Sequence, residues 1–237
     1  LTVAAIYPET FSNAGYLETA KIPGTVTTIK DYAFKDCAKL KSVTLGEGLE
    51  TIGSHSFSGC PLLTELKIPN SVATIEPYAF RNCVGLASVT LPNSLTKIER
   101  STFNGCKSLR SITIPDKVAS IGISAFEGCP NMVMVKMPKA LTEIGNYAFK
   151  SCTKLAEVQC GEGLSSVGTD VFRGCDSIVN LSLKWTTPPT GFPDMFTENE
   201  HLETNVYVPY GSTEAYKKVE PWSKFLRFYE ATEIDGI

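Results

Sequence analysis

The eight cysteines have the widest possible chemistry in this sequence, because thiols serve as nucleophiles, metal ligands or disulfide partners. Seven of them recur every 23 residues, each three residues after a phenylalanine: Cys37, Cys60, Cys83, Cys106, Cys129, Cys152 and Cys175. In stacked strands such neighbours lie about 4.8 Å apart, which is within the Cα separation of a disulfide, about 4.4–6.8 Å. Stacked side chains point in parallel, however, and free cysteine is typically buried. We therefore predict eight reduced cysteines that fill the core, with the pairing usual in secreted proteins as the alternative.

Other candidates for chemistry are few. The only histidines are His55 and His201, and the sequence lacks a C-x-x-C pair, which argues against a zinc site. It also lacks G-x-S-x-G, H-E-x-x-H, G-x-x-x-x-G-K-[ST] and the EF-hand spacing. An acidic cluster near the C-terminus consists of Asp194, Glu198, Glu200, His201 and Glu203. Its spacing matches no metal cage, so we interpret it as a solvated loop. We predict no catalytic residue, no metal site and no cofactor, and therefore a protein that is not an enzyme.

The period that spaces the cysteines also spaces the apolar residues that must position them. After Cys37 come Leu40, Val43 and Leu45 in an L-x-x-L-x-L pattern, and the same types recur in each later unit. Alternation along a short strand turns Val43 and Leu45 inward and Ser42 and Thr44 outward. Pro or Gly then marks a turn, and a return leg carries further apolar residues. A fixed period of this length predicts a solenoid in which each coil stacks on the previous one.

The residue before each repeated cysteine predicts a tight bend. These residues are Asp36, Gly59, Asn82, Gly105, Gly128, Ser151 and Gly174. Most of them are types that tolerate a positive φ. The coil should therefore turn sharply just before each thiol.

The repeat ends after Leu183, where Lys184 replaces the expected Pro or Gly. A strand over Asn205–Pro209 and a helix over Thr213–Val219, with Ser212 as its N-cap, should follow. We predict a solenoid of about eight coils over residues 1–184 and a strand–helix capping segment over 185–237, since a solenoid edge needs a polar cover. Ile6 and Phe11 are already in repeat register, so the first coil is incomplete and we expect more chain upstream.

The pattern L-x-x-L-x-(L/I)-P…(L/V)-x-x-I-x-x-x-A-F-x-x-C at this period resembles the BspA-type leucine-rich repeats of bacterial surface proteins. The tail is similar to the usual ending of that family in Val208-Pro209, Gly211-Ser212, Ala215-Tyr216, Trp222 and Phe225. The resemblance implies a β-dominated leucine-rich-repeat solenoid with short parallel strands. It also implies a secreted or surface-anchored protein, often one proposed to adhere to host matrix proteins or other cells, with no shared catalytic motif. Lys184, Ala14 in a cysteine position and the absent N-terminal region depart from the family pattern.

Composition limits the environment and the partners. A hydrophobic fraction of 43% is ordinary for a globular protein, and a net charge of −3 argues against nucleic acid as a partner. No apolar stretch approaches the roughly 18 residues of a membrane span. Residues 1–11 lack the features of a signal peptide. We expect an extracellular or cell-surface protein whose signal or anchor is removed or lies outside this sequence.

The surface is then the place for function, and two sets of outward residues are candidates. One set lies on the strands and includes Thr44, Lys67, Thr90, Thr113 and Lys136. The other is the ring stack, which we define as Tyr32, His55 and Tyr78, three consecutive members of the column two residues before each phenylalanine. These sets predict adhesion to an extracellular protein or glycan. The alternatives are a solubilising face, rings that only cover one another, and a structural spacer that presents another domain.

Overall fold

The computed structural model describes residues 4–196 and 198–232, with the side chains of 198–200 not among those described. Within these ranges the chain is a solenoid of parallel strands with about ten turns. In chain order the strands are β1 (Ala5–Ile6), β2 (Thr19–Lys21), β3 (Thr28–Ile29), β4 (Ser42–Thr44), β5 (Thr51–Ile52), β6 (Glu65–Lys67), β7 (Thr74–Ile75), β8 (Ser88–Thr90), β9 (Lys97–Ile98), β10 (Ser120–Ile121), β11 (Met134–Lys136), β12 (Glu143–Ile144), β13 (Glu157–Gln159), β14 (Ser166–Val167), β15 (Asn180–Ser182), β16 (Asn205–Pro209) and β17 (Arg227–Ala231). The helices are α1 (Glu198–Glu203), α2 (Thr213–Tyr216) and a 3₁₀ turn over Trp222–Lys224.

Two faces result from the two strands of each coil. The front face holds the ladders β2–β4, β6–β8 and β11–β13–β15–β16–β17. The back face holds the ladders β1–β3–β5–β7 and β14–β12–β10–β9. Every pairing is parallel, and partners in the repeat are 23 positions apart, as in Ser120 with Glu143. The predicted fold class is therefore confirmed.

The front ladder is interrupted at two places within the described residues. No ladder joins β4 to β6. Residues 111–113 keep the exposed–buried–exposed alternation of a strand without pairing as one. Around them only isolated backbone bonds remain, such as Val133 N–H to Arg110 O at 3.1 Å. The front face is consequently not one continuous sheet.

The core is built from columns of identical side chains. Neighbouring phenylalanines stack from Phe11 through Phe196 with ring centroids 5.0–5.7 Å apart. All eight cysteines are buried free thiols, which agrees with the prediction. Each thiol of the repeated column donates to the carbonyl of a phenylalanine in the preceding coil, as Cys60 Sγ does to Phe34 O at 3.2 Å. This bond satisfies the thiol proton, and burial removes apolar area from water at about 25 cal/mol per Å².

The predicted bend before each cysteine is confirmed by φ values between 55° at Asp36 and 75° at Gly59. A second column of positive φ was not predicted, and it contains the ring stack, with φ of 59° at Tyr32, 54° at His55 and 63° at Tyr78. Its backbone is held by bonds to the next coil, such as Tyr32 N–H to Ser54 O at 2.9 Å. These bonds offset the left-handed conformation, which costs roughly 1–2 kcal/mol in an L-residue.

The C-terminal segment adds turns rather than only covering the last coil. β16 pairs with β15, and β17 pairs with β16, so the front ladder continues past Ser182. This explains why the solenoid has about ten turns instead of the predicted eight. The predicted helix is shorter, Thr213–Tyr216, and Ser212 Oγ donates to Pro209 O instead of capping it. The capping role of 185–237 stays a prediction, and residues 1–3, 197 and 233–237 of the two predicted units lie outside the described residues.

Candidate functional site

A first groove crosses the front face where the ladder between β4 and β6 is interrupted. It has a volume of about 470 Å³ and is lined by residues of β4, β6 and β8. Thr44, Lys67 and Thr90 are among its lining residues, and all three are exposed. They point outward because they alternate with inward Val43, Leu66 and their equivalents along each strand. The structure therefore brings these three predicted site residues together.

A second groove follows along the same face, where residues 111–113 do not pair. Its volume is about 820 Å³, and its lining includes the other two predicted strand residues, Thr113 and Lys136. Lys139 and Lys184 add two further ammonium groups, and Asp116 is the carboxylate of the lining. Lys139 forms an ion pair with Glu162, with Nζ and Oε1 3.7 Å apart. The lining of the second groove therefore contains three lysines and one aspartate.

Thr44, Lys67, Thr90, Thr113 and Lys136 belong to one row of ten outward residues, which we call the lysine row. Its members are Lys21, Thr44, Lys67, Thr90, Thr113, Lys136, Gln159, Ser182, Tyr207 and Tyr229. The row is exposed from Lys21 to Lys136, whereas Gln159 and Ser182 are buried. Among the described residues, its three lysines form no ion pair.

Tyr207 and Tyr229 were missed in the sequence because the 23-residue period has ended there. Ser182 pairs with Tyr207 and Tyr207 with Tyr229, at spacings of 25 and 22 residues. The two rings stack, with centroids 5.4 Å apart and an interplanar angle of 27°. The row therefore ends in an aromatic pair. The signal available in the sequence was the alternation of Val206, Tyr207 and Val208, which indicated an outward tyrosine without fixing its register.

The ring stack forms as predicted, in a different part of the coil from the grooves. The ring centroids of Tyr32 and His55 are 5.0 Å apart, and those of His55 and Tyr78 are 4.5 Å apart. The rings are half-buried because each covers the face of its neighbour. Ring edges therefore face solvent, and both faces of His55 are covered. A partner would meet edges and hydroxyl groups rather than open ring faces.

Cations surround the ring stack. Lys35 Nζ lies 5.7 Å from the centroid of Tyr32, and the guanidinium groups of Arg81 and Arg100 lie 5.9 and 5.8 Å from that of Tyr78. At these distances the ring quadrupole attracts a cation by roughly 0.5–1 kcal/mol at an exposed site. The ring stack is therefore a basic, hydrogen-bonding patch.

His55 is neutral at neutral pH in this setting. Burial lowers the pKa of its imidazole, and the charges of Lys35 and Arg81 lower it further. Ser54 Oγ donates to Pro77 O at 3.0 Å, so the same oxygen accepts from Nδ1 of His55 at 2.9 Å. This bond places the imidazole proton on Nδ1 and leaves Nε2 as the acceptor atom of the ring.

The acidic cluster serves packing of the C-terminal segment. His201 is buried, its Nε2 lies 3.2 Å from Asp194 Oδ1, and its ring packs edge-on against Phe225 at 5.0 Å. Asp194 also pairs with Lys224. The side chains of Glu198 and Glu200 lie outside those described. In the described ranges, no three His, Cys, Asp or Glu side chains are grouped as metal ligands.

Comparison with known proteins identifies the family of this chain. The model of the "BspA type Leucine rich repeat region" matches in six copies, over residues 4–133 and 73–190. The chain belongs to the BspA-type leucine-rich repeat family. A solved relative is a leucine-rich repeat protein of T. pallidum, 29% identical, with a TM-score of 0.63; the match covers 68% of this chain and 77% of that one. No curated protein matches significantly.

A second solved neighbour is a leucine-rich repeat protein from Eubacterium ventriosum ATCC 27560. It is 26% identical with a TM-score of 0.64, and the match covers 72% of this chain but only 46% of that one. This repeat family is generally a binding or structural fold rather than a catalytic one. Among the helices that the structure describes, none is long and apolar enough to cross a membrane.

Proposed function

We propose that this BspA-type solenoid is an adhesion module of the bacterial surface that binds an extracellular protein or glycan through its front face. The observation that carries the proposal is the pair of grooves lined by Thr44, Lys67, Thr90, Thr113 and Lys136. These side chains are exposed, and the three lysines of the row lack ion-pair partners among the described residues. They contribute little to packing, so they are available for a partner.

An extracellular location is part of the proposal. Family membership supports it, because BspA-type repeats occur in bacterial surface proteins. Extended solenoid surfaces are also well suited to macromolecular partners, since each added coil enlarges one continuous contact area.

The test is a binding array of extracellular matrix proteins and glycans. We compare the purified chain with a front-face variant, Lys67→Ser with Lys136→Ser, and with a matched back-face variant, Lys30→Ser with Lys97→Ser. Both pairs are exposed and carry the same charge, so the two variants differ only in the face affected. Loss of capture in the front-face variant alone supports adhesion through this face. Capture that is equal for all three proteins, or absent for all three, favours a structural spacer.

The ring stack is a second candidate surface because three cations surround it. Replacing all three rings with serine should lower the free energy of unfolding by about 1–3 kcal/mol, the worth of two stacked contacts. If binding on the array is lost while the variant stays folded, the ring stack is a site. If only stability falls, the rings are packing, and the proposal that they form a site is wrong.

A capping role for residues 185–237 is also part of the proposal. Trp222, Tyr216 and Phe225 are buried, and Trp222 Nε1 donates to Pro189 O at 3.1 Å. Tyr216 OH donates to Trp185 O at 2.8 Å. These contacts tie the segment to itself, and the pairing of β16 with β15 ties it to the end of the solenoid, which would otherwise present an open strand edge.

A further inference from the structure

One outward row of the front face carries charge of a single sign. The lysine row contains no carboxylate in ten turns, and Lys21, Lys67 and Lys136 supply three positive charges. The back-face return legs carry both signs, with Glu50, Glu76, Glu99 and Glu143 beside Lys30 and Lys97. Charges of one sign in a row raise the local concentration of oppositely charged ligands along it. The lysine row is therefore a positive track on a chain whose net charge is −3.

The track is long, narrow and sparsely charged. With strands about 4.8 Å apart, Lys21 and Lys67 are separated by roughly 10 Å and Lys67 and Lys136 by roughly 14 Å. Glu65 and Glu157 lie in the neighbouring outward row of the same face, and Glu47 lines the first groove together with Glu65 and Lys67. Those carboxylates would repel a densely charged polyanion such as nucleic acid or a heavily sulfated chain. The matching ligand is linear, with single negative charges at wide intervals.

The residues between the lysines are suited to sugars. Thr44, Thr90 and Thr113 present hydroxyl groups, which donate and accept hydrogen bonds as sugar hydroxyls do. At the C-terminal end of the row, the stacked rings of Tyr207 and Tyr229 provide an amphipathic surface, and Tyr229 is 49% exposed. Aromatic side chains of this kind carry much of the contact energy in binding sites.

We propose that the lysine row binds a linear polysaccharide in which a uronic acid alternates with a neutral sugar, lying lengthwise along the solenoid. Lysines pair with the carboxylates, threonine hydroxyls bond to the neutral units, and the Tyr207–Tyr229 pair packs against one sugar. The larger groove, which Lys136 and Thr113 line, is the centre of this track. This inference rests on the proposed front-face adhesion and names its ligand.

The probe is a hyaluronan oligosaccharide long enough to span the row, measured by calorimetry at low and high sodium chloride. Binding should weaken as salt rises, because exposed charges are screened beyond a Debye length of about 8 Å at physiological ionic strength. A neutral chitin oligosaccharide of equal length should bind weakly, without salt dependence. A heparin oligosaccharide tests for a preference for densely sulfated ligands. Polyglutamate tests for a preference for acidic peptides. Tighter binding of either than of hyaluronan would overturn the inference.

Matched variants locate the binding. Lys67→Ser and Lys136→Ser should each weaken hyaluronan binding about tenfold, the loss expected for one charge-assisted hydrogen bond. Lys30→Ser with Lys97→Ser, on the back face, should leave it unchanged. Tyr207→Thr with Tyr229→Thr should weaken binding without altering its salt dependence, and melting curves confirm that each variant is folded. Hyaluronan binding that is unchanged by both Lys67→Ser and Lys136→Ser would overturn the inference.

The two proposals fail differently. If hyaluronan does not bind but the front-face lysine variant still loses capture of an array protein, adhesion stands and the polysaccharide inference is wrong. If the front-face and back-face variants behave alike toward every array component and toward hyaluronan, both are wrong.

Discussion

The buried thiols should make this solenoid unstable in alkali. Burial raises the pKa of Cys106, Cys129 and Cys160, to about 12 in the latter two. The neighbouring thiol of Cys60, followed by burial, raises the pKa of Cys37. Cys37 lowers the pKa of Cys60, but the neighbouring thiol of Cys83 and burial together raise that pKa more. Five protons are therefore held in the folded state at a pH where the unfolded chain releases them.

The size of the effect follows from proton counting and not from the individual pKa values. A raised thiol pKa contributes stability that is complete below the ordinary pKa of about 8.5 and is lost as pH rises above it. Five retained protons lower the free energy of unfolding by about 7 kcal/mol for each further pH unit. A typical stability of about 5–15 kcal/mol is then exhausted between about pH 9 and pH 11.

The assay is urea unfolding at a series of pH values from neutral to strongly alkaline, in reductant, followed by circular dichroism and by the fluorescence of Trp185 and Trp222. The matched control is Cys129→Ala with Cys160→Ala, which removes two of the five protons. The free energy of unfolding of this variant should therefore fall less steeply with pH, by about 3 kcal/mol per pH unit. Free-thiol titration in denaturant should give eight per chain, the number in the sequence. Thiolate absorbance that develops near the ordinary pKa, with the circular dichroism unchanged, would refute the reasoning.

Three further predictions concern the cap, a bend and the ring stack. Deleting residues 205–237 should cause aggregation through the exposed edge of β15, measured by light scattering. Trp222→Ala should lower the free energy of unfolding by about 3–5 kcal/mol. A truncated chain that stays monomeric with an unchanged melting temperature would contradict the capping role. Gly128→Ala should lower the free energy of unfolding by about 1–2 kcal/mol through its φ of 72° alone, because the new Cβ would lie an ordinary 3.8 Å from its nearest neighbour. Ser151→Gly, in the same column, should instead stabilise the fold. Equal melting temperatures for the two variants would exclude backbone strain. Because the pKa of His55 is lowered, the free energy of unfolding should fall as pH drops below about 6.5. His55→Gln should remove this pH dependence in urea titrations. The same pH dependence in the variant and the original chain would contradict the prediction.

Much of the fold could be predicted because the repeat fixes positions by counting. Once Phe34 and Cys37 define a period, every later phenylalanine and cysteine has a place in a column, and the structure puts them there. The positive φ at Asp36 and its equivalents was also predictable, because Gly and Asn occur in that column. Strand alternation likewise placed Thr44 and Lys67 on the surface.

The remainder depends on contacts between coils that no single coil shows. Tyr and His do not indicate a left-handed backbone, yet Tyr32 and His55 adopt it because the next coil accepts their N–H groups. Tyr207 could not be aligned with Ser182 once the period was lost. The grooves depend on interruptions of the front ladder, which the strand pattern around residues 111–113 does not reveal.

The most direct test of front-face adhesion is lysine footprinting. Lysine amines are acetylated with and without a saturating amount of the array component that binds most tightly, and the extent at each lysine is read by mass spectrometry. The account predicts protection of Lys67 and Lys136, with Lys30 and Lys97 labelled as in the free protein. Protection of the back-face lysines with Lys67 and Lys136 fully labelled would contradict it.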